Sequence, residues 1–211
     1  LSNFAIAVYY PMLLRNIGWW IAVFCFIFIC GISCSFSQSN LKRGLRLGAV
    51  AVILSLATYG IDRYLGQENV LTIRFGVLHM LASSILIYCL IKDVGITYKL
   101  FLSFITIGAG LYFINAPMNS TISYSNILAH STSAFYSADY FPLMPWFGFF
   151  LLGASLGPVL YPDRRSFYAK TRRVNWDRPI LFVGRNSLLF YVIHQPAVYV
   201  ILYTAGLILV R

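Results

Sequence analysis

Residues 19–37 read WWIAVFCFIFICGISCSFS, a run without a single charged side chain. About 20 apolar residues suffice for a helix to cross the hydrocarbon core of a bilayer. Five further stretches of this kind follow, at about 45–61, 75–91, 100–115, 141–161 and 187–210. None shows the period-two polarity of a barrel strand, and backbone in lipid must bond to itself, so these are helices. The sequence therefore predicts an all-α integral membrane protein, a polytopic helical bundle with about six transmembrane helices, forming one domain over residues 1–211. Composition points the same way: 59% of residues are hydrophobic and 10% charged, against about 25% charged in soluble domains. A soluble globule, a disordered chain, a coiled coil and a nucleic-acid binder are excluded.

The net charge of +10 then becomes a statement about sidedness. Numbering the loops alternately, one side holds Lys42, Arg43, Arg46, Lys92, Lys99, Arg164, Arg165, Lys170, Arg172, Arg173, Arg178 and Arg185. The other holds Arg15, Arg63, Arg74 and Arg211. Twelve against four places the first side in the cytoplasm. Leu1, Arg211 and the loop 116–140 then face outward. That loop lacks Lys and Arg and is dense in Ser, Thr and Asn, with Tyr124, Tyr136 and Tyr140 interleaved. Hydroxyls, amides and flat rings suit a sugar, and they suit a solvated connector equally well. Asn119-Ser120-Thr121 is a glycosylation sequon, relevant only in a eukaryotic secretory pathway.

Cys25, Cys30, Cys34 and Cys89 all lie in apolar runs without C-x-x-C spacing, which predicts buried thiols, no metal site and no disulfide framework. Gly44 with Gly48 and Gly153 with Gly157 have the spacing that lets membrane helices approach closely, and they permit a homo-oligomer.

Titratable groups inside spans are costly and mark candidate functional positions. His79 follows Arg74-Phe75-Gly76-Val77-Leu78, and His194 opens His194-Gln195-Pro196. With a helical rise of 1.5 Å per residue, His79 lies about 7 Å below the outer face and His194 roughly 13 Å above the inner one. Their depths then differ by only about 10 Å. An imidazole can serve as a base or nucleophile near neutral pH; both histidines also fit as interhelical hydrogen-bond partners. Asp139, next to the fifth span, can orient a histidine, receive an amine or cap a helix. Pro142 and Pro145 cap and bend the start of that span, and Trp146 reads as an interfacial anchor. Arg43, Arg46 and Arg185 have the forked geometry for phosphate, or serve topology and lipid headgroups alone.

Taken in order, several motifs resemble one family. They are Cys25–Ser33 with Lys42-Arg43-Gly44-Leu45-Arg46, Phe75-Gly76-Val77-Leu78-His79, Tyr140-Phe141-Pro142-Leu143-Met144-Pro145-Trp146-Phe147-Gly148 with Gly153, and Gly184-Arg185-Asn186-Ser187-Leu188 with His194-Gln195-Pro196. Together they resemble the bacterial branch of the heparan-alpha-glucosaminide N-acetyltransferase catalytic-domain family, within a wider transmembrane acyltransferase group. The resemblance implies a membrane-embedded acetyltransferase of the bacterial plasma (inner) membrane. It would move an acetyl group from cytosolic acetyl-CoA to an amine or hydroxyl of an extracytoplasmic carbohydrate. In that reading Arg43, Arg46 and Arg185 steer the CoA phosphates. His79, with His194 and Asn186, performs the proton chemistry, and Asp139, Tyr140 and Trp146 meet the acceptor. The family also begins with a histidine-bearing helix that would precede Leu1, so an N-terminal segment is expected. The rival reading is a non-enzymatic membrane carrier or a subunit of a membrane assembly, with the histidines as helix glue or proton relay.

Overall fold

The computed structural model describes residues 13–64, 66, 71–115, 125–128, 135, 137–162 and isolated positions from 182 to 204. The chain divides into two compact units, residues 1–165 and 166–211. In the first unit the described residues form α1 (Leu13–Ser35), α2 (Asn40–Tyr64), α3 (Val77–Ile91), α4 (Ile96–Asn115), the one-turn α5 (Ser125–Leu128) and α6 (Leu143–Leu160), with no strand among them. In the second unit the described positions are helical, and most of the expected span 187–210 lies outside the described residues. The protein is an all-helical integral membrane protein. Helices α1, α2, α4 and α6 are each long and apolar enough to cross a membrane.

Helix α6 is the centre of the first unit. It packs against α1, α4 and α3, while α2 packs on the other side of α3. Its Phe147, Phe150, Leu151 and Ala154 are buried, whereas Ile29 of α1, Ile53 and Leu56 of α2, and Phe101 and Phe104 of α4 are exposed. Exposed apolar side chains on the outer helices are what a lipid solvent calls for. Buried hydroxyls are satisfied locally: Ser84 Oγ donates to the Met80 carbonyl at 2.7 Å and Ser155 Oγ to the Leu151 carbonyl at 2.7 Å. Ser103 of α4 crosses to the Gly148 carbonyl of α6 at 2.8 Å.

The α1–α6 crossing is a backbone contact. A Cβ on Gly31 would collide with the Phe150 carbonyl oxygen, and a Cβ on Gly153 with the Phe28 carbonyl. Gly48, which shares its spacing with Gly44, is different, because its Cβ would meet only the Ala82 methyl at 3.7 Å. Spacing alone does not separate the two cases, since it records which face a glycine is on and not how near the next helix comes. Gly153→Ala is therefore expected to cost about 2 kcal/mol, since main chain cannot give way as a side chain can. Gly48→Ala is expected to be neutral or stabilising by up to about 1 kcal/mol through helix propensity. Thermal melts of the two variants in detergent check the contrast.

Two departures from the sequence-based boundaries bear on function. Lys42, Arg43 and Arg46 lie inside α2, which begins at Asn40, so only residues 36–39 link it to α1. Helix α3 has 15 residues, about 22 Å of rise, short of the roughly 30 Å of hydrocarbon. The chain before it, residues 71–76, is not helical.

Candidate active site

Non-helical backbone at membrane depth is tolerated only where its polar groups are satisfied within the protein. The amides of residues 71–77 meet that condition entirely through side chains. Asp62, 2% exposed, accepts from the Leu71 amide at 3.0 Å and from the Thr72 amide at 2.8 Å, and from the Thr72 hydroxyl at 2.5 Å. Thr58 Oγ1 accepts from the Ile73 amide at 3.2 Å. Ser137 Oγ accepts from the amides of Arg74 at 3.1 Å and Phe75 at 3.5 Å. The Gly76 amide donates to His79 Nδ1 at 3.4 Å, and the Val77 amide to Asp139 Oδ2 at 3.0 Å. The carbonyls are held as well: Thr72 accepts from the Ala138 amide at 3.1 Å, Ile73 from Ser55 Oγ at 2.6 Å, and Phe75 from the Phe141 amide at 3.3 Å.

The acceptors come from two directions. Ser55, Thr58 and Asp62 recur at three- and four-residue spacing and so line one face of α2. Ser137 and Asp139 come from the segment leading into α6. His79 stands where the two grips meet, at the third position of α3, half-buried. Its Nε2 lies 3.3 Å from Ser55 Oγ and its ring centroid 5.7 Å from that of Phe75. Asp139 is close enough to act on it electrostatically.

Asp139 caps a helix, but the helix is α3 and not the one its sequence position precedes. Its carboxylate lies against the Cα of Gly76, where any Cβ would collide with Oδ2. Tyr140 packs edgewise on Phe135 at 5.8 Å. Burial pushes its phenol up to about 12, so the hydroxyl stays protonated at physiological pH. Trp146 is 4% exposed, which corrects its reading as an interfacial anchor. Its ring stacks on Trp20 at 5.3 Å and also contacts Trp19, Phe141 and Phe149. The bend before α6 turns it inward: Pro142 is the N-cap, and Met144, preceding Pro145, has φ −100° and ψ 132°, the extended conformation that a following proline favours. Trp19 and Trp20 on α1 are about half exposed.

Arg43 and Arg46 are at the other end of α2, roughly 18 Å along the helix from Ser55 in the case of Arg43. Arg43 bonds back to α1, with Nη1 donating to Ser33 Oγ at 3.1 Å and Nη2 lying 3.9 Å from Cys30 Sγ. Arg46 is exposed. Thus His79, Asp139 and Tyr140 are gathered at one end of the unit and the two arginines at the other. Arg185, Asn186 and His194 lie outside the described residues. Among the described residues no three His, Cys, Asp or Glu side chains converge on a metal position.

The sequence profile described as "Heparan-alpha-glucosaminide N-acetyltransferase, catalytic" matches residues 3–196. The chain belongs to that family. No curated protein and no solved structure matches it. As a member of the heparan-alpha-glucosaminide N-acetyltransferase catalytic family, the chain is a membrane acetyltransferase in the family sense, and the interrupted entry to α3 is its best-built polar site among the described residues. Sequence reading found His79 and Asp139 there but missed Ser55, Thr58, Asp62, Thr72 and Ser137. A signal was present, since Ser55, Thr58 and Asp62 are the polar positions of one helical face in an otherwise apolar run.

Proposed function

We propose that the chain transfers the acetyl group of cytosolic acetyl-CoA to an amine or hydroxyl of a carbohydrate outside a bacterial inner membrane, with residues 1–211 forming one catalytic domain. The family match over residues 3–196 carries this reading. The separation of arginines from the histidine site supports its sidedness. Arg43, Arg46 and Arg185 would hold the phosphates at the cytoplasmic end, where guanidinium forks suit them. The pantetheine arm would then run toward His79. The acceptor nitrogen or oxygen bonds to the thioester carbonyl carbon as its proton passes to the imidazole. The carbon–sulfur bond breaks and the departing thiolate takes a proton. His194 and Asn186 would polarise or orient the reacting groups. Asp139, by fixing the start of α3, and Tyr140, by its protonated hydroxyl, would shape the acceptor side. Trp146 would back that side through Trp19 and Trp20.

Acetyl-CoA titrated into detergent-solubilised protein should raise Tm by roughly 5–10 °C at a hundredfold excess over Kd. Sealed vesicles loaded with labelled acetyl-CoA should label amino-sugar or hydroxyl acceptors outside. The absence of both stabilisation and transfer would overturn the reading in favour of a carrier or an assembly subunit.

A further inference from the structure

His79 has two ring nitrogens and a proton to place on one of them when neutral. Nδ1 faces the Gly76 amide at 3.4 Å, and an N–H can only donate. A proton on Nδ1 would set donor against donor. Nε2 faces Ser55 Oγ at 3.3 Å. The one hydroxyl proton of Ser55 is directed to the Ile73 carbonyl at 2.6 Å, the shorter contact, so its oxygen is left to accept. Both contacts select the same form, with the proton on Nε2 and the lone pair on Nδ1.

We propose that Ser55 is a positioning residue that holds His79 as its Nε2–H tautomer, so that Nδ1 is the atom that takes the acceptor's proton; this rests on the acyl-transfer reading above. The contact occupying Nδ1 is longer than an ordinary N–H hydrogen bond, and an acceptor N–H or O–H can displace it. The proton then moves from the acceptor to Nδ1, giving an imidazolium that still donates from Nε2 to Ser55. It sits next to the Asp139 carboxylate, the charged group contributed by the segment packed over α3. Ser55 in turn is fixed by Ile73, whose amide is bound by Thr58 one turn further along α2.

The test uses the whole chain with ¹⁵N-labelled histidine in lipid nanodiscs; three histidines make assignment tractable. The neutral His79 ring should show a pyridine-type Nδ1 and a pyrrole-type Nε2. Ser55→Ala should mix the tautomers and slow acetyl transfer about tenfold, the loss of one side-chain hydrogen bond, without changing KM for acetyl-CoA. Ser55→Thr should restore both. A pyrrole-type Nδ1 in the unsubstituted protein overturns the proposal without any variant having to fold. A tautomer shift in Ser55→Ala with full transfer rate overturns the assignment of Nδ1 as the proton acceptor. If the unsubstituted chain transfers nothing, the acyl-transfer reading falls, while the spectrum still decides the tautomer.

Discussion

A chain carrying His79→Asn is expected to melt within a few degrees of the unsubstituted protein and to transfer acetyl groups roughly 100-fold more slowly or worse. The two effects separate because His79 caps α3 and, in the proposed reaction, also serves as the base. At the third position of α3 its Nδ1 accepts from the Gly76 amide, one of the donors that a helix start leaves without an intrahelical partner. An asparagine oxygen reaches nearly the same point and keeps that bond. What it cannot do is take up a proton near neutral pH, and a positioned general base contributes about 10²–10⁴ in rate. Radiolabelled acetyl transfer in proteoliposomes, beside melts of the same preparations, checks both halves. Full activity in His79→Asn would remove the imidazole from the reaction and leave it a capping residue. A large fall in Tm would mean that the Ser55 contact, which asparagine is too short to make, carries stability as well as orientation.

The helical membrane architecture was legible because long uncharged runs have few other solutions in lipid. The limits of elements were less so, and the reasons differ. Lys42, Arg43 and Arg46 look like loop residues by charge, yet long cationic side chains on the first turns of α2 can reach away from an apolar region. Arg74, Phe75 and Gly76 look like the start of a helix by hydropathy, and they stay non-helical while seven consecutive amides from Leu71 to Val77 find side-chain acceptors. Such a segment leaves no periodic trace, since its partners are 3 to 63 residues away in sequence. The depth assigned to His79 changes with it, because the helical rise begins at Val77 and not at Arg74. Trp146 illustrates the opposite failure. Tryptophan near a span end usually marks the interface, and only the neighbouring rings of Trp19, Trp20 and Phe149 decide that this one is turned inward. His79 and Asp139 were visible because ionisable groups are rare in such a chain. Ser55 and Thr58 were not, because hydroxyls in membrane helices commonly bond to their own preceding turn, as Ser84 does.

Asp62→Ala should lower Tm by about 10 °C and sharply slow transfer, the largest effect on the fold expected of any single substitution in this unit. A carboxylate that is 2% exposed in a membrane protein needs compensation. Here it comes from the amides of Leu71 and Thr72 and the Thr72 hydroxyl. Truncation to alanine leaves those donors facing a small cavity, and each buried donor without a partner carries its own desolvation penalty. For a chain of this size each kcal/mol moves Tm by roughly 2–4 °C, so three orphaned donors account for the expected fall. Asp62→Asn is the discriminating companion. It fills the same volume and keeps an oxygen at the Oδ2 position, which meets all three donors, while its N–H₂ at the Oδ1 position faces the Leu71 amide, so it should recover most but not all of the loss. An asparagine variant as unstable as the alanine one would refute the claim that a side-chain oxygen at the Oδ2 position holds residues 71–72. Hydrogen exchange adds a local readout: the amides of Leu71 and Thr72 should lose protection in Asp62→Ala before those of α6 do. The route from Asp62 to chemistry is short, because the segment it anchors runs through Ile73, whose carbonyl fixes Ser55, to Gly76, whose amide meets His79. A residue at the end of α2 thus sets the geometry of an imidazole on α3, and its loss should disorder the entry to α3 and the proposed catalytic position together.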